Sequence, residues 1–140
     1  MTFSEQIKRN SLAVISLLVA LTALSYNTWR NEQTEENRNI RQAGFEMLLH
    51  ISELQRITYL AHFDKDRQAG NPRRGWVEIL VLQDLAKLMP ASERMRAAAL
   101  HETWEANWSG LGSRDEAVEA IDAAIEDLRG DIADVLESLD

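Results

Sequence analysis

Two hydrophobic patterns bracket this chain, and they predict two different helices. Ser11 to Tyr26 reads SLAVISLLVALTALSY, with no charged residue, Pro or Gly. With Asn27 and Thr28 it reaches about 18 residues, against the ~17 needed to cross a ~30 Å hydrocarbon core. Lys8 and Arg9 precede it and Arg30 follows, while Tyr26 and Trp29 fall where interfacial aromatics anchor a spanning helix. Inside the run Ala13, Ser16, Ala20 and Ala23 recur at steps of three, four and three. They line one helical face with small side chains, against which a second backbone can pack closely in lipid. A membrane-spanning helix over 11–28 is the reading adopted. Its alternative is a secretory signal cleaved near Ser25, since a basic start, an apolar core and Ala23-Leu24-Ser25 fit that template as well.

At the far end, Val118, Ile121, Ile125, Leu128, Ile132, Val135 and Leu139 step by three and four without a gap. That is a helical seam of coiled-coil quality, about three heptads long. Ser113 with Glu116 reads as a capping box that opens this helix.

The stretch between is helical too. Asn27 to Asn39 is a polar spacer whose only large apolar residue is Trp29. With no Pro or Gly before Gly44, anchor, spacer and first body helix can run on as one, although the asparagines disfavour it. Ile40, Ala43, Met47, His50, Leu54, Ile57 and Ala61 then form a helical stripe, widened by Phe45, Leu48, Leu49, Ile51 and Leu60. Residues 64–75 (DKDRQAGNPRRG) read as a loop by their Gly and Asn-Pro content. Trp76 to Met89 is apolar nearly all round, which predicts a central, well-buried helix. Pro90 stops it, Ser92 is the expected N-cap of the next, and Ala97, His101, Trp104 and Trp108 share a face expected to build core. The predicted fold is all-α. A tail (1–10), a single transmembrane helix (11–28) and a spacer (29–39) precede an extramembrane four-helix bundle (40–140) with helices near 40–63, 76–89, 93–108 and 114–139.

Composition narrows the function. The chain has 140 residues, 45% hydrophobic and 27% charged, so it can bury a core and is not disordered as a whole. Fifteen Lys+Arg against twenty-three Asp+Glu leave −8, which argues against a nucleic-acid-binding surface. All of that excess lies at the C-terminus. Residues 113–140 hold ten acids and two bases (−8), and residues 1–112 hold thirteen of each. Helix 114–139 is therefore either a solvated acidic face or a docking surface for a basic partner. The densest basic cluster, Lys65, Arg67, Arg73 and Arg74, lies in a loop beside Trp76. A phosphate, an acidic lipid or helix 114–139 would suit it, and the helix, which needs no ligand, is the expected partner.

No catalytic constellation emerges. There is no cysteine, and of the three histidines His50 and His101 fall on apolar stripes near Glu46, Glu53 and Glu105. None has the Glu-x-x-His spacing of a di-iron bundle, so no metal site and no cofactor are expected. The expected function is non-catalytic, an accessory or scaffolding subunit of the cell (inner) membrane. The basic pair at Lys8 and Arg9 puts the N-terminus in the cytoplasm and residues 30–140 outside. The expected partners are the lipid bilayer and another membrane protein or a second copy of this chain, with no small-molecule substrate. The alternatives are a membrane-anchored helical sensor domain that binds a ligand, or a secreted bundle after cleavage.

Overall fold

A computed structural model describes residues 2–139. Its helices are α1 (Phe3–Arg9), α2 (Ser11–His62), α3 (Pro72–Ala86), α4 (Ala91–Asn107) and α5 (Asp115–Ser138), with a one-turn 3-10 helix at Trp108–Gly110. Among the described residues there is no strand. The chain divides into two compact units, 1–38 and 39–140.

The asparagines of the spacer do not break α2, whose helical hydrogen bonding includes them. The fold-defining burial all belongs to the second unit. There Met47, Ile51 and Leu54 of α2 meet Ile79 and Leu82 of α3, Leu100 and Trp104 of α4, and Ile121, Ile125, Leu128 and Ile132 of α5 in one apolar cluster. Each of these is at most 1% exposed. Burying one such aliphatic side chain stabilises by about 1.5–3 kcal/mol, so this cluster is the main source of the unit's cohesion.

Polar contacts join the helices around that core. Gln55 of α2 reaches Asp122 of α5 at 2.8 Å, His50 of α2 reaches Glu78 of α3 at 2.6 Å, and Arg96 of α4 reaches Asp131 of α5 at 3.1 Å. Between α3 and α4 the join is aromatic, with Trp76 edge-on to Trp104. Gly75 permits this approach, because a Cβ there would collide with the Trp104 ring.

Several expectations about the elements are corrected. Helix α3 begins at Pro72, not near residue 76. Asn71 caps it by accepting the Arg73 N–H at 3.0 Å, and Pro72 occupies the first turn, where its missing donor costs nothing. Asn-Pro is thus a helix start here. Nor is α3 buried all round, since Val77 and Leu80 are both more than half exposed. The expected Ser92 cap is replaced by Pro90, because the Ser92 hydroxyl bonds Asp131 instead at 2.6 Å. Likewise Arg114, not Ser113, precedes α5. The Ser113 hydroxyl donates to the Gly110 carbonyl, so no capping box forms. Trp108 leaves α4's face altogether, lying in the 3-10 turn and 36% exposed while Trp104 is fully buried. Phe45 and Leu49, expected to widen the α2 stripe, point outward.

Candidate functional site

The two residue sets singled out in the sequence end in opposite environments. Along the seam, Val118, Ile121, Ile125, Leu128 and Ile132 are buried, and Val135 and Leu139 are half-buried. The seam packs within the second unit's own core. In the first unit Ala13, Ser16, Ala20 and Ala23 are all exposed, and so are the large residues between them, such as Leu17, Leu18 and Leu21. This helix is long and apolar enough to cross a membrane, and the apolar stretch is unburied, as it would be in a span or a signal sequence.

Part of the acidity of α5 is met inside the second unit. Asp122 accepts from Gln55 and from the Tyr59 hydroxyl, both at 2.8 Å. Burial, and then the Asp122 carboxylate, push the Tyr59 phenol above its ordinary range. Arg129 approaches Glu126 and donates to Gln55. Arg96 lies 3.5 Å from Asp127 and 3.1 Å from Asp131. The Ser92 hydroxyl, followed by Arg96, holds the Asp131 carboxyl below its usual range. At the C-terminal end Arg41 donates to the Leu139 carbonyl at 3.2 Å, bringing positive charge to the negative pole of α5.

The histidines settle into structural roles. His50 bonds Glu78, not the predicted neighbours Glu46 or Glu53, and His101 stands edge-on to Trp76. His62, the third histidine, is only 6% exposed. Its Nδ1 accepts the Gly112 N–H at 3.0 Å, so the neutral ring carries its proton on Nε2 and donates it to Asp115, also at 3.0 Å. Gly112 has φ +86°, a left-handed conformation that suits glycine. His62 therefore pins the 108–113 turn to the end of α2. Among the described residues no group of His, Asp and Glu could hold a metal ion.

The basic cluster does not pair with α5, contrary to expectation. Arg74 lies 3.8 Å from Glu53 of α2, and no ion pair of Lys65, Arg67 or Arg73 occurs among the described residues. Between the 61–72 segment and the 108–113 turn lies an open cavity of about 480 Å³. Lys65, Arg67, Asn71, Pro72, Trp108 and Gly112 are among its lining residues. Asp66 also lines it, but its carboxylate accepts the Gln68 and Ala69 N–H groups at 2.9 Å each, which holds its pKa down and braces the turn. Periodicity could not reveal this cavity, because two loops far apart in sequence build it. No known protein family, curated protein or solved structure matches this chain.

Proposed function

We propose that this chain is a single-pass membrane protein whose residues 40–140 form a four-helix bundle. It acts as a non-catalytic accessory or scaffolding subunit of the inner membrane. The observation that carries this reading is the exposed, charge-free stretch from Ser11 to Tyr26. Surface of that apolarity is not stable in water, and its length suits a bilayer. The exposed small-residue face at Ala13, Ser16, Ala20 and Ala23 is the proposed contact for a second membrane helix, either another protein's or a second copy's. Lys8 and Arg9 favour a cytoplasmic N-terminus, with residues 30–140 outside. The seam of α5 stabilises the bundle from within, which leaves the membrane helix as the main means of association.

Mild-detergent purification of the full-length chain from its native membrane, followed by native mass spectrometry, tests this. The expected result is an intact N-terminus with a stoichiometric partner, and weaker association when Ser16→Leu and Ala20→Leu fill the small face. A bare monomer would overturn the subunit reading. A mature chain starting near Tyr26 would instead establish the secreted alternative. The cavity beside Trp108 favours a second reading, in which the body is a membrane-anchored ligand sensor.

A further inference from the structure

We propose that the cavity between the 61–72 segment and the 108–113 turn is an oxyanion site, taking a phosphate group carried on a small, flat organic body. This goes beyond the subunit reading, needs neither a membrane nor a protein partner, and departs from the sequence expectation of no small-molecule ligand. Its basis is the local charge of the cavity wall. Of the acids on α5, Asp115, Asp122, Glu126, Asp127 and Asp131 have partners within the second unit, none of them from the cavity wall. Lys65 and Arg67, which line the cavity, have no ion-pair partner among the described residues. Two cations without ion-pair partners thus meet at a concave place, where they suit a multiply charged oxyanion.

Three further features point the same way. Helix α3 opens at the cavity with Asn71 and Pro72 on its wall, so the positive end of its macrodipole lies beside it. The walls are also fixed in advance. Lys65 is held at φ +53°, Gly70 packs on the Ala61 backbone, the Asp66 carboxylate braces one loop, and His62 pins the other. A preorganised site loses less entropy on binding. Finally, Trp108 lies partly exposed on the wall, offering a face for a planar group, and a volume of about 480 Å³ is that of a small-ligand pocket.

A soluble phosphate ester and the headgroup of an anionic lipid offer the same chemistry, and one set of titrations separates them. The full-length chain in neutral detergent micelles is titrated calorimetrically with inorganic phosphate and with phenyl phosphate. Both should saturate, and phenyl phosphate should bind several-fold more tightly. The exposed double variant Lys65→Gln/Arg67→Gln should weaken both about tenfold or more while melting at an unchanged temperature. Trp108→Leu should remove the advantage of phenyl phosphate alone, and Lys87→Gln, remote from the cavity, should change nothing. Repeating the titration in phosphatidylcholine nanodiscs with and without phosphatidylglycerol identifies the source. Lost phosphate binding in the anionic discs assigns the site to lipid headgroups, and retained binding assigns it to a soluble ester. Absence of saturable binding by either probe, or undiminished binding by the double variant, overturns the proposal.

Discussion

Along α5 the aliphatic residues keep to one face, and Ile121, Ile125, Leu128 and Ile132 end fully buried. Between Ser11 and Tyr26 of α2 they cover most of the circumference, and Leu17, Leu18 and Leu21 are each more than half exposed. Both stretches carry many aliphatic residues, yet only one buries them within the chain. The difference is angular. A stripe about 100° wide leaves an opposite face for water, whereas an all-round apolar helix has no face that water tolerates and calls for a non-aqueous environment.

Substitutions at matched places can break this contrast. The largest effect on folding is expected from Ile125→Ala, which deletes fully buried atoms and should cost about 2–5 kcal/mol. Thermal denaturation by circular dichroism should register it as a fall in Tm of several degrees or more. Leu17→Arg should act in the complementary way, opposing membrane insertion by about 2.5–3.5 kcal/mol while leaving the melting of the body unchanged. Fractionation and the same melting curve, measured together, check that separation. A fall in Tm comparable to that of Ile125→Ala would refute it.

Inside the body, Gly75→Ala places a Cβ against the Trp104 ring and should cost about 1–3 kcal/mol through overpacking. Reduced denaturation midpoint with an unchanged m-value is the expected readout. Glu93 should move the other way. It is 4% exposed, and its Oε2 atom is buried with no hydrogen-bond partner. Its place in the first turn of α4 returns about 0.3–1 kcal/mol from the macrodipole. An unsatisfied buried polar group costs about 1–3 kcal/mol, which is the larger quantity, so Glu93→Met should raise the midpoint.

The smallest effect belongs to acid. Asp131 has a carboxyl whose pKa is lowered in the folded state, so the folded state holds fewer protons than the unfolded one below about pH 4. Its contribution is therefore full above the unfolded value and is lost as pH falls through the folded one. Asp131→Asn should remove roughly 0.5 kcal/mol at neutral pH and flatten the acid limb of stability against pH. An acid limb identical to that of the parent chain would show that the Ser92 and Arg96 contacts contribute nothing.

What the sequence determined by itself was periodic or compositional. The helical class, the buried stripe of α5, the apolar stretch at 11–28 and the absence of any cysteine chemistry are properties of residues close together along the chain. Local steric and solvation rules read such properties without knowing the neighbours. Tertiary structure decided the rest. Ser92 and Ser113 are good caps by type, yet a carboxylate from α5 claims one hydroxyl and the Gly110 carbonyl takes the other. The basic loop and the acidic helix attract on paper, but Arg96, Gln55 and Tyr59 stand nearer to the acids. Trp108 follows the helical spacing of Trp104 and still faces outward, because the chain tightens into a 3-10 turn at that residue. The cavity beside it joins segments some forty residues apart, and His62 supports it through a bond to Gly112 fifty residues on. Such pairings depend on which elements fold side by side, and that is fixed by the packing of the whole core.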